Sequence, residues 1–154
     1  MTWFVRTAAV TSLLAVACGP ARFDPNDPTA TAAIDSVLTV MMEGAAAVDA
    51  DKVLSSGADD LTFVTGEVLL SGRETLLARF RETYSGLARQ NQRVIEKRVR
   101  LVSPDVVIAV VIAEGTYTDK ANWTSPPVGI GTTIVFVREN GQWRAKHAHQ
   151  SIAD

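Results

Sequence analysis

The sequence predicts an α+β fold in which three helices, interleaved with a short hairpin, pack on one face of a curved antiparallel sheet. The first observation is that apolar residues recur at spacings of three and four in the first half of the chain, as on one face of a helix. The second is that four long segments rich in strand-forming residues follow, separated by turn residues. A length of 154 residues is sufficient for one such domain and short for two.

The helices are placed by their end signals. Asp27 followed by Pro28 is typical of a helix start, because a carboxylate accepts free backbone N–H groups and proline fits the first helical position. Amphipathic spacing then continues to about Val48. A second, short helix is predicted with Asp51 near its cap, and a third helix is predicted to end near Ser85.

Turn residues divide the remaining chain into strands. A short hairpin is predicted to turn at Gly66, before the third helix. The four long strands are separated by a turn at 103–105, a loop at 119–127 and the pair Asn140-Gly141, which is the strongest hairpin signal in the chain. We expect these four strands to be antiparallel.

Two stretches of the chain resemble a known superfamily. The segments ADDLTFVTGEVLLSGRETLLARF (58–80) and VFVRENGQWRAKHAHQS (135–151), preceded by a long and a short helix, are similar to NTF2-like proteins, in particular to SnoaL-like and DUF4440-type domains. The resemblance implies a cone-shaped fold, a pocket between the sheet and the helices, and a homodimer through the outer face of the sheet. The superfamily contains isomerases, dehydratases, polyketide cyclases, transport factors and assembly domains, so the resemblance implies a fold without choosing a reaction.

The N-terminus resembles a bacterial lipoprotein signal. Arg6 precedes an uncharged, largely apolar run at 7–17, which is shorter than the ~20 residues that a membrane-spanning helix needs. The sequence LAVAC ends at Cys18, the only cysteine, and resembles a lipobox, whose cysteine becomes lipidated. We therefore predict a signal peptide at 1–17, a tether at 18–27 and the folded domain at 28–154, anchored to a bacterial membrane and facing the periplasm or the exterior. Plain secretion and a retained anchor are the alternatives.

Both histidines of the chain lie in the last strand. Alternate residues of a strand share a face, so strict alternation gives one row; its members are Trp143, Ala145, His147, His149 and Ser151. The opposite row is more polar near its start, so the histidine row is predicted to face the pocket, where Trp143, His147 and His149 would contact a ligand. Four roles stay open for the histidines: hydrogen-bonded core residues, ligand contacts, acid–base catalysts, or a metal pair that lacks a third ligand.

Three more residues are candidates at the pocket. Asp60 is the carboxylate that acid–base chemistry with His147 or His149 would use, although a turn or cap role also fits its position. Tyr117 is expected near the pocket mouth, where its hydroxyl would donate to a ligand. Trp123 lies in a loop and is expected to close the pocket or to contact a partner. No cofactor and no metal site is predicted.

The overall charge argues against one class of partner. The net charge is −2, and no basic block stands out, so nucleic-acid binding is not expected. Three functions remain open: binding of a small apolar or amphipathic molecule, an acid–base enzyme of the isomerase, dehydratase or cyclase type, and a dimerising assembly module without a ligand.

Overall fold

The computed structural model describes residues 23–153, so Cys18 and the predicted signal peptide lie outside the described residues. It confirms the α+β fold, with helices covering one face of a curved six-stranded sheet. The strand order in the sheet is β2-β1-β6-β5-β4-β3. In chain order, the elements are α1 (Pro28–Ala46), α2 (Ala50–Val53), β1 (Gly57–Thr65), β2 (Val68–Ser71), α3 (Arg73–Tyr84), β3 (Leu87–Ser103), β4 (Val106–Asp119), β5 (Val128–Glu139) and β6 (Gln142–Ile152).

The sheet is mixed, which corrects the expectation of antiparallel pairing throughout. β1 pairs parallel with β6, placing Thr62 opposite His147. Every other neighbouring pair of the sheet is antiparallel, as predicted for the four long strands. A short turn forces antiparallel neighbours, but β1 and β6 are connected through most of the domain, so no turn signal reports their relative direction.

The long helix α1 begins where its capping signal predicts. The Asp27 carboxylate accepts hydrogen bonds from the backbone N–H groups of Thr29 at 2.8 Å and Ala30 at 3.4 Å, and Pro28 opens the first turn. These bonds satisfy N–H groups that have no partner inside the helix.

Within residues 23–153, neither α1 nor any other helix has the length and apolarity needed to cross a membrane.

One end of the cone is a continuous apolar core, which we call the closed end. Leu101, Val107 and Phe136 are cross-strand neighbours on β3, β4 and β5, and all three are buried. Ile34 of α1 belongs to the same core cluster. The backbone N–H of Leu101 also donates to the carbonyl of Pro25 at 3.1 Å, so the described chain enters the domain at the closed end.

Strand β6 contains one extra residue. Ala145 is opposite Phe136 on β5, and His147 is opposite Val135, so Lys146 has no partner of its own. This is a β-bulge, which inserts a residue on one strand and shifts the inward–outward alternation beyond it by one position. Residues after Lys146 therefore face the opposite way from strict alternation.

The Asn140-Gly141 turn between β5 and β6 is confirmed. Both residues have positive φ angles, 50° and 77°, as a two-residue type I′ hairpin requires. This turn fixes the register of the two strands up to the bulge, and Glu139 pairs with Gln142 next to it.

Helices α1 and α2 approach closely at a glycine. A Cβ atom at Gly44 would lie 2.6 Å from the backbone nitrogen of Val53, closer than side chains tolerate. The absence of a side chain at position 44 thus lets the two helices pack backbone to backbone.

The cap of α2 is Asp49 and not Asp51, because the Asp49 carboxylate accepts from the backbone N–H of Lys52 at 3.0 Å.

We predict that Gly44→Ala destabilises the protein. The contact is with backbone, so the cost should be near the upper end of the ~1–3 kcal/mol typical of overpacking, more than the ~1 kcal/mol that alanine gains over glycine in a helix. Urea unfolding measures the difference. Gly86→Ala is the matched control, because a Cβ there meets nothing within 4 Å, and its stability should change little. An unchanged midpoint for Gly44→Ala would contradict the packing argument.

Candidate functional site

The inner face of the sheet, α1 and α3 enclose an open cavity of about 520 Å³. It opens to solvent at the end of the cone opposite the closed end, where Tyr117, Val128 and Ile152 lie; we call this opening the mouth. Its wall is mainly apolar, and the lining side chains include Leu38, Met41, Phe63, Phe80, Val111 and Ile134. A cavity of this size and composition is typical of a small-molecule site.

The polar groups that line the cavity are almost all uncharged; they are Thr65, Thr83, Tyr84, Gln90, Gln92, Thr116, Tyr117, Thr132 and Gln150. Arg79 is the one charged lining residue of the described chain, and its guanidinium donates to the Glu82 carboxylate at 2.8 Å. No carboxylate and no imidazole belongs to the lining within residues 23–153. The cavity therefore offers hydrogen bonds without an acid–base pair.

The histidines lie on the outer face of the sheet, so the prediction that their row faces the pocket is wrong. The bulge at Lys146 is the reason: Ala145 faces inward before it, and after it Ala148 and Gln150 line the cavity in place of His147 and His149. Nδ1 of His147 is 2.8 Å from the Thr62 hydroxyl, and the His149 side chain is exposed.

Trp143 and Ser151 also lie away from the cavity lining. Trp143 faces inward but is buried near the closed end, and the Arg138 guanidinium lies 4.5 Å from the centre of its ring. Ser151 is exposed and lies after the bulge, on the face that carries His149. The ligand-binding role predicted for Trp143 therefore has no support from its position.

Asp60 does not line the cavity either, and its carboxylate is paired with Lys146 rather than with a histidine. Its carboxylate accepts a hydrogen bond from the Lys146 ammonium at 2.6 Å. That hydrogen bond holds the pKa of Asp60 below its usual range. Asp60 and Glu139 together raise the pKa of Lys146, mainly through their hydrogen bonds to the ammonium group. The predicted acid–base partnership of Asp60 with a histidine is thus replaced by an exposed ion-pair cluster beside the bulge.

Two aromatic residues mark the mouth. Tyr117 lines the cavity, and the Trp123 ring meets it edge to face, with the ring centres 5.7 Å apart. Trp123 is 53% exposed. The Asp119 carboxylate holds the loop by accepting the backbone N–H groups of Ala121 at 2.8 Å and Trp123 at 2.9 Å. The ligand-binding role of both aromatic residues stays a prediction.

Sequence reasoning missed the polar residues of the inner wall. Thr132 and Gln150 are paired on β5 and β6, and Thr65 is paired with Gln150 on β1. Strict alternation assigned Gln150 to the outer face, and only the bulge brings it inside. Within residues 23–153, no cluster of three or more histidine, cysteine, aspartate or glutamate residues is arranged to hold a metal ion.

Tyr84 is held in its protonated form. Burial, and then the negative charge of Asp49, raise the pKa of Tyr84 to about 12. Tyr84 also lines the cavity, and it is neutral at physiological pH.

Comparison with known proteins agrees with the fold. A family model, the SnoaL-like domain, matches residues 34–154. An NTF2-like protein of unknown function from Pseudomonas putida has a similar structure, with a TM-score of 0.71 at 16% identity over 81% of this chain and 87% of that one. A hexachlorocyclohexane dehydrochlorinase from Novosphingobium barchaimii gives the same four values. A ketosteroid isomerase-like protein from Erwinia carotovora gives 0.68 and 17%, over 80% and 95%. No curated protein sequence matches. At such identities the likeness carries the fold alone.

We predict that the Tyr84 phenol ionises at about 12. Ultraviolet titration of Tyr117→Phe, which leaves Tyr84 as the one remaining tyrosine, measures this pKa. The pKa of Tyr84 in the folded protein is raised above the usual value of ~10. The contribution of the protonated phenol to the free energy of unfolding is therefore complete below pH ~10 and is lost as pH rises towards ~12. Tyr84→Phe should lack this part of the pH dependence of unfolding. A midpoint near pH 10 in the ultraviolet titration of Tyr84 would contradict the argument that burial raises its pKa.

Proposed function

The chain belongs to the SnoaL-like domain family, and we propose that its cavity binds a small apolar or amphipathic molecule. The observation that carries the proposal is an open cavity of about 520 Å³ whose wall is mainly apolar. Each Å² of apolar surface that leaves water contributes roughly 25 cal/mol to binding, so a molecule that fills such a wall gains most of its affinity from burial.

The acid–base alternative lacks its reactive groups. A general base must lie within ~2.6–3.2 Å of the proton that it removes, and it is a histidine or a carboxylate in most enzymes. The cavity lining within residues 23–153 contains neither. The dehydrochlorinase and the isomerase-like protein are similar in fold, and their reactions are not transferred to this chain.

A second copy of the chain is the proposed partner of the outer face. Ile108 and Val135 are cross-strand neighbours on that face, and Val110 lies next to them on β4. Arg98 and Arg100 on β3 border this apolar band. An apolar centre with a polar rim is typical of a protein interface, and this pattern supports the proposal.

Lipid anchoring remains a proposal based on the sequence. The support is the apolar run at 7–17, the lipobox-like LAVAC and the proline-rich tether that follows Cys18. In this proposal the domain binds its ligand next to a bacterial membrane, on the periplasmic or external side.

We predict that Ala148→Leu abolishes binding of a neutral fluorescent probe such as Nile red. Ala148 lines the cavity, and the added methyl groups would occupy ligand space. The measurement uses the full chain carrying Cys18→Ser, so that no lipid anchor binds the probe. His149→Leu, the adjacent change on the outer face, is the control and should bind normally. Binding that is lost in His149→Leu and kept in Ala148→Leu would contradict the proposed cavity.

We also predict that Cys18→Ser abolishes incorporation of a labelled fatty acid and releases the protein from the membrane fraction. The reason is that lipid transfer to a lipobox requires the cysteine thiol. Expression in a bacterial host, followed by labelling and fractionation, measures both effects. Retention of the Cys18→Ser protein in the membrane fraction would favour the retained anchor instead.

A further inference from the structure

Three uncharged polar side chains form a line across the cavity wall. Gln150 on β6 is opposite Thr132 on β5 and opposite Thr65 on β1, and all three line the cavity. Directly paired residues have Cβ atoms ~4.5–5.5 Å apart, so their polar atoms are within reach of one ligand group. We call these three residues the polar strip. All three side chains are partly exposed and line the cavity, so each is accessible to a ligand.

Apolar pairs flank the polar strip on both sides along the same strands. Ile130 and Ile152 are paired towards the mouth, and Ile134 and Ala148 are paired towards the closed end. Each flanking row is two residues from the strip, a spacing of ~6.5–7 Å at the usual strand rise. On β5 and β6 the strip is thus a polar band between two apolar rows.

The charges around the cavity disfavour an ionised ligand. Arg79 is the single charged lining residue of the described chain, and its guanidinium is already paired with Glu82. An ion that entered the apolar wall would lose its hydration without gaining a counter-charge, which is costly. A neutral oxygen, by contrast, exchanges its water for the amide and hydroxyl groups of the strip.

We propose that the ligand is an uncharged molecule with a hydroxyl or carbonyl oxygen near the middle of an apolar skeleton, and that Gln150 and Thr132 bind this oxygen. The inference rests on the proposed cavity function and adds the chemical class of the ligand. The Gln150 amide both donates and accepts, so it suits either an alcohol or a ketone. A ligand with its oxygen at one end would leave that oxygen at the mouth or leave the strip without a partner.

Four probes of nine carbons separate these features: nonane, the mid-chain alcohol dibutyl carbinol, the isomeric primary alcohol nonanol, and nonanoate. Each competes with Nile red for the full chain carrying Cys18→Ser. We expect dibutyl carbinol to bind about 3- to 10-fold more tightly than nonanol, as one net hydrogen bond would give. Nonanoate should bind most weakly of the four. Equal affinity of the two alcohols, or tightest binding by nonanoate, would overturn the proposal.

The variants Gln150→Leu and Thr132→Val test the residues themselves. Each should weaken the binding of dibutyl carbinol by about 3- to 10-fold and leave the binding of nonane unchanged or tighter, because the lost interaction is a hydrogen bond. Comparing variants with the same probe removes the difference in hydrophobicity between probes. Thr133→Val is the matched control, since Thr133 lies next to Thr132 but on the outer face, opposite His149. Equal losses for nonane and dibutyl carbinol would overturn the assignment.

The outcomes distinguish this inference from the function on which it rests. If Nile red and all four probes fail to bind a folded protein, the cavity function itself is wrong. If nonane and both alcohols bind with affinities that the strip variants do not change, the cavity function stands and the ligand class proposed here is wrong.

Discussion

One additional residue in β6 determines which side chains the cavity offers to a ligand. Without Lys146 as a bulge, strict alternation would bring the histidines inside and Gln150 outside; with it, Ala148 and Gln150 line the wall. At the bulge, the Lys146 ammonium is paired with the carboxylates of Asp60 and Glu139 on the neighbouring strands. The residue that brings the uncharged side chains to the inner wall thus carries an ion-pair cluster on the opposite face of the sheet.

The fold was predictable from local signals, and the site was not. The cap at Asp27 and the turn at Asn140-Gly141 are determined by residues that are neighbours in sequence, and the structure confirms both predictions. The bulge depends on how β6 pairs with its two neighbours, and alternation along β6 alone does not report an extra residue within the strand. Strict alternation therefore predicts the wrong face of the sheet for the histidine pair, although it predicts correctly that the pair lies in the last strand.

The two faces of the sheet carry different kinds of polar group. The outer face has the histidines, the arginines of β3 and the Lys146 cluster, whereas the inner wall of the cavity has amide and hydroxyl groups set among apolar residues. Neutral groups of this kind are tolerated beside apolar residues when they retain access to water or to a ligand. This arrangement lets the wall select a ligand by the position of its hydrogen-bonding group without requiring charge on either partner.

The contact between Pro25 and Leu101 has a practical consequence for handling the protein. It brings the start of the described chain to the closed end of the cone, whereas the backbone N–H of Ala153 bonds to the carbonyl of Gly129 at 2.8 Å, beside the mouth. A sensor chip or a fused reporter joined ahead of Pro25 would leave the opening accessible to solutes. The same attachment placed after Ala153 would crowd the opening, so the two ends of the domain are not interchangeable as points of immobilisation.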